Sequence, residues 1–235
     1  MVYTAPVISG SRARIAAIAA SLLVVALALG YWGLRKSGER ALHTTVVALV
    51  SDASGRLREA LERESDPARI ADPEIAGRLD QHAGEIDQRL AALQRLRAAP
   101  NRALVDAADL YLVTARELLR KMSAGHGQRE AFAGSVRALR ALAETADRRS
   151  SAWIAQTIAA KERAERDYAD YRRTVDTIAS LLDSLAEPRA RLAREIDPAR
   201  LIDEALRAQA ADRARAAGKR AAAELERAQR PATRQ

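Results

Sequence analysis

The segment IAAIAASLLVVALALGYWGL occupies residues 15–34 and contains no charged side chain. A helix of about 20 residues rises roughly 30 Å, which is the thickness of the hydrocarbon core of a bilayer. The isoleucine, leucine and valine side chains of this segment favour insertion by about 3 to 5 kcal/mol in total. Tyr31 and Trp32 lie at its distal end, where aromatic side chains meet the membrane interface. The segment therefore predicts a single N-terminal transmembrane helix.

Two other interpretations of this segment are open. Arg12 and Arg14 before an apolar stretch also fit a secretory signal peptide, with Ala26-Leu27-Ala28 as the cleavage site. A buried core helix is the other alternative, but the remaining chain offers no comparably apolar surface to surround it. The apolar run continues through Trp32, which favours an uncleaved signal anchor. The short preceding segment favours an inside N-terminus, although the basic flanks are nearly equal. We therefore expect a single-pass protein of the bacterial inner membrane with a periplasmic bulk.

Composition bounds the remaining chain. It has 235 residues, no cysteine and only 3% aromatic residues, which excludes a disulfide scaffold, thiolate metal sites and a cysteine nucleophile. Abundant alanine, leucine, arginine and acidic residues are typical of helical bundles and coiled coils. The net charge of +8 is concentrated in residues 1–40 and 188–235, whereas residues 41–187 are nearly balanced. We predict an all-α chain in which an elongated antiparallel helical bundle or coiled coil follows the transmembrane helix.

The predicted organisation has four parts. Residues 1–14 form a flexible lead, residues 15–34 the span, residues 39–187 the helical bundle, and residues 188–235 a basic, Ala/Arg-rich, partly disordered tail. Within the bundle, apolar residues recur every three or four positions, which predicts helices over about 39–64, 73–98, 101–124 and 127–187. The sequence also predicts the boundaries of these helices. It predicts a hinge at Ser37-Gly38 and N-terminal caps at Asp72-Pro73, Asn101 and Asp197-Pro198. It predicts a break in the chain at Gly125-His126-Gly127 and the end of a helix at Pro188.

The segment 127–187 is too long for one bundle helix. If each helix of the bundle is about 39 Å long, this fourth helix returns to the membrane surface near residue 152. The charged sequence that follows, KERAERDYADYRR, cannot enter lipid. Either the bundle lies along the surface through the hinge, or the helix breaks near residues 148–151. We favour the break, because Ser150 can cap a new helix there. After residue 208 almost no large apolar side chain remains except Leu225, so the tail is expected to depend on a partner for order.

Candidate chemical groups are sparse. His43, His82 and His126 show no metal-ligand spacing, and His82, in an apolar stripe, is interpreted as a core-edge histidine, with a pH-sensitive packing switch as the alternative. The carboxylate pairs Glu162/Glu165 and Asp167/Asp170 are interpreted as ion-pair faces. Phosphate-binding and nucleophile glycine motifs are absent from the sequence. We predict no catalytic, cofactor-binding or metal-binding residues, and no enzymatic activity.

Two patterns bear on partners. Tyr168, Tyr171 and the neighbouring Arg172-Arg173 fit either a nucleic-acid surface or a bundle seam; nearby aspartates favour the seam, so nucleic acid is not the expected partner. Ala26 and Gly30, four residues apart, would let two spans approach closely. The expected partners are the lipid bilayer and either further copies, as a homo-oligomer, or partner helices.

We therefore expect a membrane-anchored helical scaffold or interaction protein without catalytic activity. One alternative is an extracytoplasmic, four-helix-bundle-like sensor or accessory domain that binds a small ligand. Another is a cytoplasmic-facing protein whose basic tail binds nucleic acid or anionic lipid. The layout of one span followed by antiparallel helices resembles the extracytoplasmic part of bacterial chemoreceptors and sensor kinases, without their second span or signalling module. The resemblance implies a helical architecture and assigns no residue a role.

Overall fold

The structure is a computed structural model that describes residues 10–64, 74–96, 101–144 and 150–230, with side chains from residue 36 onward. The chain divides into two compact units, Met1–Thr45 and Val46–Gln235. Six α-helices and one 3-10 helix are present in the described part: α1 (Gly10–Glu64), α2 (Ile75–Gln94), α3 (Arg102–Glu144), α4 (Ser151–Ser184), α5 (Ala186–Leu192), the 3-10 helix Pro198–Arg200, and α6 (Glu204–Gln229). The described residues contain no strand, so the predicted all-α class and the helical bundle are confirmed.

The first unit is described as backbone from Gly10, and it is helical as part of α1. The helix runs through Ser37 and Gly38, where the sequence predicted a hinge. Most of the predicted flexible lead, the side chains of the predicted span at residues 15–34 and the cleavage motif at residues 26–28 lie outside the described part. From residue 36 onward, where side chains are described, no helix has a stretch long and apolar enough to cross a membrane.

The second unit begins with an antiparallel section built from α1, α2 and the first half of α3. Ion pairs fix the direction of α1 against α2: Arg89 Nη2 lies 2.7 Å from Asp52 Oδ2, and Arg56 Nε lies 2.9 Å from Glu85 Oε2. Asp87 accepts hydrogen bonds from Arg116 and Arg120 of α3. The predicted stripes supply the core of this section, which includes Val46, Ala53, Leu57, Ala60, Ile75, Leu79, Ile86, Leu90, Leu93, Leu104, Ala108, Tyr111, Ala115 and Leu118.

Helix α3 does not break at Gly125-His126-Gly127, so that prediction is wrong. The helix continues from Arg102 to Glu144, although glycine is a poor helix former. A Cβ atom added to Gly125 would lie 3.3 Å from Thr174 Cγ2 and 3.4 Å from Ile178 Cδ1. Gly125 therefore permits close packing of α4 against α3, and this tertiary contact offsets its low helical propensity.

The chain instead turns between Glu144 and Ser151, which confirms the predicted break. The Ser150 hydroxyl accepts a hydrogen bond from Trp153 N at 3.2 Å and caps α4. Across the turn, Trp153 Nε1 donates to Leu142 O at 2.9 Å. Helix α4 then packs antiparallel to the second half of α3, with the rings of Phe132 and Tyr171 stacked at a centroid distance of 6.3 Å.

The basic tail predicted for residues 188–235 contains a helix at residues 204–229. They form α6, which packs on α4 and α3 with Ala211, Gly218, Ala221, Leu225 and Ala228 buried. Small side chains allow a close approach, so the helix buries a face on which Leu225 is the one large apolar residue. Before α6, Asp197 caps the predicted turn by accepting from Ala199 N at 3.0 Å. Pro188 does not end the preceding helix, because α4 ends at Ser184 and Pro188 lies in α5.

Helix α3 consequently belongs to two three-helix sections of the second unit. Its first half packs with α1 and α2, and its second half packs with α4 and α6. The second core contains Phe132, Val136, Leu139, Ala164, Tyr171, Val175, Ala221, Leu225 and Ala228. At 43 residues, α3 is about 64 Å long, so the second unit has at least that extent along one axis.

Candidate functional site

His82 lies on the buried side of α2 and faces α1. Its Nε2 atom is 3.9 Å from Glu59 Oε2, and its Nδ1 atom is buried without a hydrogen-bond partner among the described residues. The adjoining cavity is about 20 Å³ and is lined by Ala60, Arg63, Ile75, Arg78, Leu79 and His82. A cavity of this size holds one or two water molecules, whereas ligand pockets measure about 300 Å³ or more. The interpretation of His82 as a core-edge histidine fits this placement.

The three histidines do not form a metal centre in the described part of the chain. His43 lies in α1, His82 in α2 and His126 in α3. Within residues whose side chains are described, no group of three histidine or carboxylate side chains is arranged to hold a metal ion.

The carboxylate pairs of α4 take part in structural contacts. Glu165 Oε1 accepts from Gln229 Nε2 at 2.9 Å and so ties α4 to α6. Asp167 accepts from the hydroxyl of Ser135 on α3, and Asp170 accepts from Arg173 at 3.1 Å. Ion pairs join the same carboxylates to basic residues one turn away, since Lys161 Nζ lies 3.9 Å from Glu165 Oε1 and Arg163 Nε lies 3.9 Å from Asp167 Oδ2.

The tyrosines of α4 belong to the bundle seam. Tyr171 is 7% exposed and stacks on Phe132, while the Tyr168 ring lies 5.9 Å from Phe132 between centroids. Arg172 Nε donates to Asp176 Oδ2 at 2.8 Å, and this hydrogen bond raises the pKa of Arg172. Both rings pack on Phe132, and this packing matches the seam interpretation.

A buried hydrogen-bond chain joins α1, α3 and the segment before α6. Ser54 Oγ bonds Val50 O at 2.8 Å and the Tyr111 hydroxyl at 2.8 Å, and Ile202 N donates to that hydroxyl at 3.4 Å. Burial raises the pKa of Tyr111 above its usual value. The sequence places Tyr111 correctly in an apolar stripe, but no local signal shows that its hydroxyl is shared by Ser54, 57 positions earlier, and Ile202, 91 positions later.

A second connection, centred on Arg207, anchors the start of α6. Arg207 is 9% exposed and donates to Leu182 O at 2.7 Å and to Glu204 Oε1 at 2.6 Å. The hydrogen bond between Glu204 and Arg207 lowers the pKa of Glu204 and raises that of Arg207. Asp203 caps α6 by accepting from Leu206 N at 2.9 Å. The sequence analysis missed this cluster, although the Asp203 cap and the Glu204/Arg207 spacing are local signals that reveal a helix start.

The end of the α3–α4 hairpin carries exposed apolar side chains. Ile154 is 48% exposed and Ile158 is 54% exposed. Helix α6 ends at Gln229, level with Glu165, so neither isoleucine is covered by the described part of α6. One helical turn separates the two residues, and both therefore lie on the same side of α4.

Comparison with known proteins found no matching protein family, no matching curated protein and no matching solved structure.

Proposed function

We propose that this chain is a single-pass, membrane-anchored helical scaffold without catalytic activity. The observation that carries the proposal is α3, which extends about 64 Å and supplies one helix to each of two bundled sections of the second unit. Such a framework holds distant surfaces at a fixed separation. The hydrogen-bonding side chains of the described residues mostly join helices to one another, as Tyr111 and Arg207 do.

The proposed anchor is the uncharged segment at residues 15–34. It has the length and hydropathy of a membrane span, and its signal-anchor character favours a periplasmic location of the second unit. Retention of the segment can be read from the mass of the mature protein, since cleavage after Ala28 would give a chain beginning at Leu29. A Val24→Arg variant should be released from membranes or destabilised, because a central charge costs roughly 3 kcal/mol on the insertion scale.

The proposed docking surface consists of Ile154 and Ile158, and its proposed occupant is the same surface of a second copy. Two hairpin ends meeting about a twofold axis would cover four isoleucines and form a four-helix contact. Burying each half-exposed side chain contributes about 1 kcal/mol, whereas association in solution costs at least about 4 kcal/mol. The contact is therefore weak for free molecules and becomes effective when anchors confine the copies to one membrane.

Cross-linking of the full chain in membranes tests this function. The sequence has no cysteine, so a single introduced residue reports its own contacts. Ile158→Cys should form a cross-linked dimer in membranes and much less after dilution into detergent. Ala169→Cys, which is exposed on the same helix, is the matched control and should stay monomeric.

Equal cross-linking at residues 158 and 169 would show random collision and remove the docking surface. Full extraction of the protein by alkaline carbonate would instead refute the anchor. If the chain is a ligand-binding sensor, a small molecule should raise its melting temperature, an effect that the scaffold proposal does not predict.

A further inference from the structure

One side of the second section carries several arginines with few carboxylate partners. Elsewhere in the described part, most arginines join ion pairs, such as Arg89 with Asp52. A set of arginines on α3 and α6 has one such contact, between Arg140 and Glu224, and we call this set the arginine ridge: Arg129, Arg140, Arg213, Arg220 and Arg227. Its α6 members are spaced by seven residues, or nearly two turns, so they form a line with intervals of about 10.5 Å.

The ridge spans two parallel helices. Helix α4 is antiparallel to α3, because Gly125 lies beside Thr174 while Ser135 bonds Asp167. It is antiparallel to α6, because Arg207 bonds Leu182 O while Gln229 bonds Glu165. Helices α3 and α6 therefore run in the same direction. Contacts through α4 give their register, because Phe132 of α3 stacks on Tyr171 and Gly218 of α6 lies beside Arg172 and Val175.

In this register Arg129 lies nearly level with Arg220, and Arg140 is eleven residues further along α3. Eleven residues are close to three helical turns, so Arg129 and Arg140 share one stripe of α3. Arg220 and Arg227 flank Glu224 at four and three residues on the same side of α6. The five arginines consequently occupy one continuous surface.

Few carboxylates oppose this positive charge. Glu224 is the acidic residue within the ridge, and its contact with Arg140 is at 3.9 Å. Arg227 Nε donates to Ala223 O, and Arg213 Nη1 is buried without a hydrogen-bond partner in the described structure. Glu130 and Glu144 flank the ridge on α3. The five arginines and these three glutamates together leave a net positive charge of about two.

We propose that the arginine ridge binds the phosphate headgroups of an anionic phospholipid bilayer. The ridge follows straight helices and thus suits a flat charged surface. Tyr168 and Tyr171 pack with Phe132, so they do not supply the stacking platform of single-strand nucleic-acid sites. The bilayer also fits the proposed anchor, and the inference rests on that proposed function for its location. Each arginine near an anionic surface strengthens binding about fivefold at moderate salt.

The test uses the full chain with vesicles of phosphatidylcholine alone or mixed equally with phosphatidylglycerol. A fluorophore at Ala216→Cys reports on the ridge, because residue 216 is exposed between Arg213 and Arg220 on α6. The same fluorophore at Ala169→Cys reports on exposed α4. Headgroup-linked quenchers should quench the residue-216 label strongly only in the anionic vesicles, and high salt should reverse the effect. The residue-169 label should respond equally in both vesicles.

Charge variants separate the ridge from the overall charge. The triple variant Arg213→Gln/Arg220→Gln/Arg227→Gln should weaken anionic-lipid contact roughly 100-fold. A matched triple variant that loses the same charge elsewhere, Arg166→Gln/Arg194→Gln/Arg200→Gln, should retain the contact. Circular dichroism of both variants checks that the helices remain folded.

Equal losses in the two triple variants would overturn the proposal, as would quenching of the residue-216 label in neutral vesicles. The proposal would also be overturned if the detergent-solubilised chain bound duplex DNA through the ridge while anionic lipid had no effect on quenching. That result would assign the ridge to nucleic acid. A vesicle-flotation assay distinguishes failure of the proposed anchor from failure of the ridge proposal. A chain without a membrane anchor would not float with neutral vesicles, but its ridge would still make it float with anionic vesicles.

Discussion

Replacing Tyr111 with phenylalanine tests the connection between the two ends of the second unit. Ser54 Oγ lies 2.8 Å from Val50 O and 2.8 Å from the Tyr111 hydroxyl. Because Ser54 has one hydroxyl proton and gives it to Val50 O, Tyr111 donates to Ser54. The Tyr111 oxygen in turn accepts from Ile202 N at 3.4 Å. The chain of bonds thus joins three segments inside the buried core.

Tyr111→Phe keeps the ring and removes this hydroxyl. The loss of the hydrogen bond to Ser54 costs about 1 kcal/mol, and an unpartnered buried N–H at Ile202 costs about 1 to 3 kcal/mol. The bond at 3.4 Å is long, so the smaller penalty applies and the expected total is about 2 kcal/mol. For a chain of this length, the melting temperature should fall by about 4 to 8 °C.

Urea unfolding of the full chain in detergent, followed by circular dichroism, measures this loss. Tyr168→Phe is the control, because Tyr168 is partly exposed and its substitution should change the free energy of unfolding by less than about 0.5 kcal/mol. The double variant Ser54→Ala/Tyr111→Phe should cost less than the sum of the single variants, since both break the same bond. Unchanged stability of Tyr111→Phe, or strict additivity, would refute the proposed bond chain.

The remaining predictions concern helix packing and charge. In urea titrations, Gly127→Ala should stabilise the fold by up to about 1 kcal/mol, because nothing lies within 4 Å of the added Cβ atom. Gly125→Ala should stabilise the fold less, because its Cβ atom would lie 3.3 Å from a side chain of α4. Equal gains in stability would contradict the tight contact at Gly125. Spin labels at Glu130→Cys and Arg173→Cys should report a distance between neighbouring helices, and a value near the 64 Å or so of an unbroken helix would exclude the α3–α4 turn. The pKa of Glu204 is lower in the folded chain than its ordinary value. Its ion pair therefore stabilises the fold fully at pH values above the pKa of Glu204 in the unfolded chain, and this stabilisation is lost as the pH falls through its pKa in the folded chain. The stability difference between wild type and Glu204→Gln should therefore shrink in acid, and a difference independent of pH would contradict the ion pair.

Local sequence signals located most helices and several of their ends. Apolar residues at three- and four-residue spacing lie on the buried faces of α1, α2 and the first half of α3. Asn101 caps α3 through Leu104 N at 3.3 Å, and Ser150 and Asp197 cap the elements that they precede. These features are readable because periodicity and capping involve residues within about one helical turn.

Small residues misled the sequence analysis, because their effect depends on what packs against them. Gly125 indicates a break in a solitary helix, but beside Thr174 it permits a close helix contact. A Cβ atom added to Gly218 in α6 would likewise lie in close contact with the side chains of Arg172 and Val175 of α4. Alanines complete the buried face of α6. A sequence shows that these residues lack large side chains, but it does not show that another helix takes the space.

The sequence by itself determined that the second unit is helical, where most of its apolar faces lie and that α4 begins after Ser150. Tertiary structure alone decided that α3 continues through Gly125, that residues 204–229 form a packed helix, and that Tyr111 and Arg207 fasten distant segments. The physical reason is range: helix periodicity and caps act over a few residues, whereas close packing and buried hydrogen bonds join groups that are remote along the chain.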